Sequence, residues 1–345
     1  MKYPVKNIEL EKRVFAASAD NFTEIALELF NYQYRNNEVY RQYCHALKIH
    51  AEHIDSIEKI PFLPISFFKS HIIKTTEFDT DIIFESSGTT ETRLPDGQAI
   101  SSKHYIKDIS IYKKSFTNCF EKFYGPAKHK CILGLLPAYL ERNNSSLVLM
   151  TEDLIKASDN SLSGFYLHDH ERLHRSLMHN EFLKMPTLLI GVTYALLDFA
   201  EKYPMQLRHT IVMETGGMKG RREEMTRQEV HAQLQTQLGV SLVHSEYGMT
   251  ELLSQAYSKG DGIFHCPGWM KVLARDEDDP FQITSAKQVQ AKPASGVLNI
   301  IDLANMYSCG FIATDDVGKL HSNESFEVLG RMDNSDIRGC SLMVM

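Results

Sequence analysis

The stretch SLVHSEYGMTE, residues 241–251, decides the fold class, because a short apolar run leads directly into a polar turn. We predict that Ser241–Val243 is a buried strand. Ligands of parallel α/β sheets bind beyond the carboxyl ends of the strands, where these polar residues would lie. Thr250 offers a hydroxyl to a phosphate, Glu251 a carboxylate to Mg²⁺, and Tyr247 a flat face to a base. A simpler interpretation is a helix start, with Thr250 as its cap.

Apolar runs and helical patterns alternate outward from this stretch. Further buried strands are predicted at Ile82–Phe84, Cys131–Leu136, Thr187–Ile190 and Thr210–Met213. Helices are predicted at His104–Phe123, Tyr194–Lys202 and Arg222–Leu238. Such alternation predicts an α/β fold with mostly parallel sheets flanked by helices. The predicted divisions are a helical region at 1–80, an α/β nucleotide- and acyl-binding core at 81–255, a β-rich subdomain at 256–330, and a truncated hinge or tail at 331–345.

A second informative segment reads FESSGTT and follows a predicted strand. Its polar residues are Ser86, Ser87, Gly88, Thr89 and Thr90. Hydroxyl groups and backbone N–H groups around a glycine can converge on phosphate oxygens, because the glycine permits close backbone approach. The spacing differs from the GxxxxGK[ST] phosphate loop. A surface turn rich in Ser and Thr is the alternative interpretation.

A third segment, Thr314-Asp315-Asp316, is followed by Gly330-Arg331-Met332. A carboxylate accepts two hydrogen bonds, which suits the vicinal hydroxyls of a ribose, and Arg331 would add a donor. The alternative interpretation is a β-turn at each place.

Composition excludes several classes of protein. The chain has 345 residues with 43% hydrophobic and 23% charged, as expected of a globular protein rather than a disordered one. A net charge of −7, without a long basic block, disfavours a nucleic-acid or anionic-membrane binder. No apolar run approaches the roughly 18 residues of a membrane span. The first residues have no apolar signal region, so we expect a cytoplasmic protein.

Together, the three segments in this order resemble the core motifs of the adenylate-forming (ANL) superfamily. Within it, IPFLPISFFKS at 60–70, FESSGTT and the later GRMDNSDIRGCSL are similar to the acyl-protein synthetases, the LuxE family. The resemblance runs from about residue 55 to the last residue. It implies the large domain of an adenylate-forming enzyme, with the small C-terminal domain missing. It also implies a ligase that uses ATP and Mg²⁺ to convert a carboxylic acid, by this resemblance a fatty acid, into an acyl-adenylate and then a thioester.

The resemblance also implies roles for single residues. Ser86, Ser87, Gly88, Thr89 and Thr90 would form the phosphate loop. The remaining nucleotide contacts would come from Gly216 and Gly217 at the adenine, Tyr247 on the base, Thr250 at the α-phosphate, Glu251 on Mg²⁺, Asp316 at the ribose, and Arg331 beside it.

This chain departs from the superfamily pattern in two places. The phosphate loop usually continues G-x-P-K, but here Glu91-Thr92-Arg93-Leu94 follows and has no lysine. The chain also ends fourteen residues after Arg331, where long members of the superfamily continue into a small domain that bears a lysine promoting adenylation.

Cys340 is the candidate acyl acceptor, because acyl-protein synthetases pass the acyl group to a cysteine near their own C-terminus. Arg338 beside it gives a reason for a lowered thiol pKa. The alternative is that Cys340 packs as a small hydrophobe in a final strand. The six cysteines contain no CxxC pair, which argues against a disulfide framework or a zinc knuckle.

Two other functions remain open. One is a phenylacetate-CoA-ligase-like enzyme that uses CoA or a carrier protein as acceptor and borrows its small domain from a partner chain. The other is a non-catalytic nucleotide- or acyl-binding subunit, which the loop without lysine leaves possible and the intact Y-G-M-T-E disfavours.

Overall fold

The computed structural model describes residues 8–86, 101–136, 144–216 and 225–332. Its helices are α1 (Ile8–Phe15), α2 (Phe22–Asn36), α3 (Glu38–Ala46), α4 (Phe67–Ser70), α5 (Ile109–Tyr124), α6 (Ser146–Ser158), α7 (His170–Leu183), α8 (Thr193–Lys202) and α9 (Arg227–Leu238). Its strands are β1 (Leu63–Pro64), β2 (Ile82–Glu85), β3 (Lys103–Ile106), β4 (Cys131–Leu135), β5 (Gly164–Phe165), β6 (Thr187–Gly191), β7 (Thr210–Glu214), β8 (Val243–Tyr247), β9 (Ala256–Ser258), β10 (Ile263–His265), β11 (Met270–Arg275), β12 (Ile283–Thr284), β13 (Ala294–Asp302), β14 (Phe311–Leu320) and β15 (Phe326–Arg331).

Thirteen strands form one continuous sheet with a parallel part and an antiparallel part. The parallel part has the order β5-β4-β6-β7-β8. The antiparallel part begins where β9 pairs with β8 and continues through β10, β15, β14, β13, β11 and β12. β1 pairs in parallel with β14, and β2 and β3 form a separate antiparallel hairpin. The predicted α/β fold with a β-rich part is confirmed, whereas the division into four regions stays a prediction.

Side chains alternate between two apolar clusters on the faces of the sheet. On β6, Leu188 and Ile190 belong to one cluster, which also includes residues of α2, α5 and α6. Leu189 belongs to the other, which includes residues of α7, α8 and α9. Every residue of β4 and β6 is buried, as expected of parallel strands covered on both faces. None of the helices within the described ranges has both the length and the apolar character of a bilayer span.

Three predicted elements have different bounds in the structure. The predicted helix at His104–Phe123 is wrong at its start, because β3 pairs there with β2 and α5 begins only after its cap, Asp108. The predicted helix at Arg222–Leu238 begins at Arg227, because Thr226 and Glu229 form a reciprocal capping box. The strand predicted at Ser241–Val243 instead runs from Val243 to Tyr247, so the first residue of Y-G-M-T-E lies in β8 itself.

Candidate functional site

The β2–β3 hairpin carries the segment predicted to bind phosphate. Ser86 is the one predicted phosphate residue within the described ranges; Ser87, Gly88, Thr89 and Thr90 lie outside them. The Ser86 N–H donates to the carbonyl of Ser102 over 3.1 Å. The Ser102 N–H donates to the hydroxyl of Ser86 over 2.9 Å. These two bonds join Ser86 to Ser102, the described residues at the two ends of the hairpin connection. One role of the Ser86 hydroxyl is therefore structural.

Residues 249–254 form a turn after β8, the 249–254 turn, which carries Thr250 and Glu251. Its backbone polar groups are bound by side chains from distant parts of the chain. Nδ1 of His104 lies 2.8 Å from the carbonyl oxygen of Thr250. The Asn305 side-chain amide donates to the carbonyl of Glu251 over 2.8 Å.

Asp302 holds the second half of the same turn. Its carboxylate accepts the N–H groups of Leu253 and Ser254 at 2.7 and 3.0 Å, and the Ser254 hydroxyl at 2.6 Å. Burial raises the pKa of Asp302 to about 6, while these hydrogen bonds oppose the rise. The turn is therefore fixed by His104, Asn305 and Asp302, none of which the sequence pattern indicated.

The Glu251 carboxyl lies between the hairpin and β15. It is 5% exposed, and burial raises its pKa. A hydrogen bond from the Ser102 side chain and the charges of Arg331 and Lys69 act in the opposite direction. A buried carboxyl facing two cationic side chains and the hairpin can interact with a charged ligand there. The charge of Arg331 thus acts on Glu251, although their segments are far apart in sequence.

Tyr247, Asp316 and Arg331 form a contiguous group at the junction of β8, β14 and β15. The Tyr247 hydroxyl donates to Oδ2 of Asp316 over 2.7 Å. The Arg331 Nε donates to Oδ1 of the same carboxylate over 3.1 Å. The Tyr247 ring packs edge-on against Phe264 and Phe326, with ring centroids 5.8 and 5.4 Å apart. Burial raises the pKa of Tyr247, so its hydroxyl keeps its hydrogen and acts as a donor.

Gly216 follows β7, at the edge of the sheet where the parallel strand β8 also ends. Its φ is +74°, and no described atom lies within 4 Å of the position of a Cβ. Its N–H donates to the Glu214 carboxylate over 2.7 Å. Among the described residues, none occupies the space where a side chain at position 216 would lie. Gly217, predicted beside it, lies outside the described residues.

Glu214 was not predicted, yet it connects the Gly216 segment to the β-rich part. Its carboxylate also accepts the Thr193 hydroxyl at 3.1 Å and pairs with Nε of Arg227 at 3.4 Å. Arg227 in turn donates to the carbonyl of Val328 on β15 over 2.7 Å. Burial alone would raise the pKa of Glu214, but the contacts with His231 and Arg227 lower it to about 2. In the sequence, the one indication of this role is an acidic residue at the end of the apolar strand TIVME, residues 210–214.

The described residues contain no group of three or more His, Cys, Asp or Glu side chains placed to hold a metal ion. A single carboxylate does suit Mg²⁺ that arrives with a nucleotide, because proteins usually bind this ion through one or two carboxylates plus substrate phosphates. Glu251 fits that arrangement.

Five cysteines lie within the described ranges, and burial raises the thiol pKa of each: Cys44, Cys119, Cys131, Cys266 and Cys309. None of these five has the lowered pKa of an activated nucleophile. Cys340 lies outside the described residues.

Comparison with known proteins confirms the resemblance that the motifs predict. Residues 5–147 match the family described as Acyl-protein synthetase, LuxE. The match begins some fifty residues before the predicted start of the resemblance, near residue 55. A Long-chain-fatty-acid–luciferin-component ligase of Aliivibrio fischeri is 22% identical over 342 residues, which cover 92% of this chain and 86% of that protein.

Solved structures confirm the fold. A 2-hydroxyisobutyryl-CoA ligase, solved in an open conformation with 2-HIB-AMP and CoA, superposes with a TM-score of 0.64 at 13% identity. The match covers 98% of this chain and 82% of that one. ATP-bound MatB from Rhodopseudomonas palustris gives a TM-score of 0.52 at 16% identity and 73% coverage of this chain. The match spans about half, 48%, of the MatB chain.

Proposed function

We propose that this protein is an acid–thiol ligase of the acyl-protein synthetase type, which activates a carboxylic acid with ATP. The observation that carries the proposal is the convergence of three separate segments. His104 of the β2–β3 hairpin lies 2.8 Å from the Thr250 carbonyl next to Glu251. Arg331, whose charge lowers the pKa of Glu251, pairs with Asp316. Phosphate, metal and ribose contacts are thereby adjacent, as one bound nucleotide requires.

The proposed reaction has two steps. First, a carboxylate oxygen of the substrate attacks the α-phosphorus of ATP, and the bond to the β-phosphate oxygen breaks. The products are an acyl-adenylate and pyrophosphate. A thiolate then attacks the acyl carbonyl carbon, which forms a thioester and releases AMP. Thr250 and the hairpin residues stabilise charge on the phosphate oxygens in the first step.

In this proposal, each part of the nucleotide is bound by particular residues. Tyr247 and Gly216, with Gly217, border the base, and Asp316 and Arg331 bind the ribose. Ser86, Ser87, Gly88, Thr89 and Thr90 supply the phosphate contacts. Glu251 holds Mg²⁺, which when bound neutralises charge on the phosphates. The bond between Tyr247 and Asp316 supports this assignment, because base and ribose are covalently joined in the ligand.

The substrate we propose is a long-chain fatty acid, on the name of the relative from Aliivibrio fischeri. The proposed acceptor is the Cys340 thiol, from which the acyl group passes to a partner protein. The match to the acyl-protein synthetases favours this acceptor over CoA or a carrier protein. We place the reaction in the cytoplasm.

Acid-dependent release of pyrophosphate from ATP tests the proposal. The purified protein, incubated with ATP and Mg²⁺, is expected to release pyrophosphate with fatty acids of one range of chain lengths and not without acid. The matched alcohols, which have no carboxylate, serve as controls. Failure of every aliphatic and aromatic acid at all Mg²⁺ concentrations would contradict the enzymatic function.

A further inference from the structure

His104 is a buried side chain to which the proposed reaction gives no role. It lies on β3 opposite Phe84 of β2, the strand that leads into the segment proposed to bind phosphate. It is 1% exposed, and the ring of Phe68 packs edge-on against it at 5.7 Å. Its two ring nitrogens both reach polar partners, Thr250 at 2.8 Å and Asn305 at 3.0 Å. Both partners lie far from His104 in sequence, so the two contacts connect the hairpin with the 249–254 turn and with the segment after β13.

The partners of His104 are the backbone groups that orient the proposed catalytic residues. Nδ1 contacts the carbonyl of Thr250 directly. Nε2 contacts Oδ1 of Asn305, whose amide group donates to the carbonyl of Glu251. Two consecutive carbonyls are therefore held by neighbouring side chains, that of Thr250 by His104 and that of Glu251 by Asn305. Because fixed carbonyls fix the peptide planes, they also fix where the Thr250 and Glu251 side chains leave the backbone.

We propose that His104 is a positioning residue for adenylation, which sets the 249–254 turn in register with the β2–β3 hairpin. It is covalently part of the hairpin and bound to the turn, so movement of one is transmitted to the other. Thr250 and Glu251 then stand at a fixed distance from Ser86, the first of the proposed phosphate contacts. This inference rests on the proposed function, because it assumes that both segments act on one nucleotide.

Of the two contacts of His104, the one with the Thr250 carbonyl matters most for positioning the turn. Burial lowers the pKa of His104 to about 4, so the ring is neutral near pH 7 and carries a single N–H. Both nitrogens face oxygen atoms, and only one of them can donate. The hydrogen belongs on Nδ1, because the Thr250 carbonyl oxygen can only accept a hydrogen bond; Nε2 then faces Oδ1 of Asn305 without a hydrogen bond.

Two amide substitutions separate the contacts of the two nitrogens. In His104→Asn the amide reaches the position of Nδ1, whereas in His104→Gln it reaches that of Nε2. Both replace the ring by an uncharged amide. We expect His104→Asn to keep a kcat for pyrophosphate release close to that of the wild type. We expect His104→Gln to lower kcat about 100-fold with little change in the KM for ATP, as for a misplaced catalytic group.

Binding gives a readout that does not depend on turnover. Calorimetry with and without Mg²⁺ measures how much the metal strengthens ATP binding. His104→Gln should reduce this gain, because Glu251 is displaced, and His104→Asn should preserve it. His174→Asn is the control. His174 lies on α7 and stacks on Tyr203, so losing the His174 ring should lower Tm without changing kcat.

The possible outcomes distinguish the proposed function from the positioning role of His104. A wild-type protein that releases no pyrophosphate with any acid contradicts the proposed function, and the binding measurement then decides the inference alone. An active wild type with equal kcat and equal metal dependence in both His104 variants overturns the inference. Losses of kcat in both variants that simply follow their falls in Tm also overturn it. Retention in His104→Asn with loss in His104→Gln supports it.

Discussion

At the scale of single residues, Asp316 is the carboxylate on which the proposed ribose contact depends. Each of its oxygens accepts one hydrogen bond from the protein, Oδ2 from Tyr247 and Oδ1 from Arg331. A carboxylate oxygen has about two lone-pair sites, so one site per oxygen remains for a ligand. Two vicinal hydroxyls match that remaining capacity.

Asp316→Ala should weaken ATP binding and remove most of the preference for ATP over 2′-deoxy-ATP. Hydrogen bonds to a charged group contribute about 1.5–3 kcal/mol, so the preference should fall by roughly 10-fold or more. Calorimetry with both nucleotides measures it. Asp315→Ala is the matched control, because successive side chains of β14 point to opposite faces. Equal preference in wild type and Asp316→Ala would show that the ribose lies elsewhere.

Glu246 gives the stability of the protein a pH dependence of defined sign. Burial, followed by the charge of Glu214, raises its pKa to about 8 from an ordinary value of 4.5. Between these two values the folded state keeps a proton that the unfolded state has lost, so stability falls as pH rises. His104 and His244, whose pKa burial lowers to about 4, act in the opposite sense only below about 6.5.

Glu246→Gln should therefore flatten the decline in unfolding free energy between about pH 6.5 and 8. The wild-type slope from this group is at most about 1.4 kcal/mol per pH unit. Denaturant unfolding at both ends of this interval measures it. The same slope in both proteins would mean that Glu246 is ionised in the folded state.

At the scale of elements, the sequence indicated separate segments, and the structure brings Tyr247, Asp316 and Arg331 of these segments together. Tyr247 ends β8, and Asp316 and Arg331 are register partners on β14 and β15. Apolar runs reveal buried strands, and polar residues that follow them meet at one edge of a sheet. That rule accounts for Tyr247 at the end of β8, whereas Asp316 lies within β14 and meets Arg331 through antiparallel pairing with β15.

Contacts between distant elements were not predictable in the same way. His104 is 146 residues from Thr250 in sequence and was assigned to a helix. Its local pattern suits a helix, but pairing of β3 with β2 overrides that preference. Glu214 likewise looks like one acid at the end of an apolar run, and its partners come from α8, α9 and the segment after β7. Such roles depend on tertiary placement, which periodicity does not contain.

At the scale of the whole molecule, the second half of the proposed reaction needs a thiol. The five described cysteines have raised pKa values, which leaves Cys340 as the proposed acceptor. Incubation with ATP, Mg²⁺ and labelled fatty acid should give a protein-bound label that neutral hydroxylamine removes. Cys340→Ser should abolish this label and still release pyrophosphate. Cys266→Ser is the control, and equal labelling of all three proteins would exclude Cys340.

Exchange of labelled pyrophosphate into ATP is the most direct test of the central claim, that one site formed by the hairpin, the 249–254 turn and Asp316 activates carboxylic acids. Exchange reports reversible formation of the acyl-adenylate and needs no thiol acceptor. We predict exchange that depends on fatty acid in the wild type and in Cys340→Ser. Glu251→Gln should lower it by roughly 10²–10³-fold with little change in Tm, as for loss of a charge-stabilising group. No exchange in the folded wild-type protein, or full exchange in Glu251→Gln, would contradict the account.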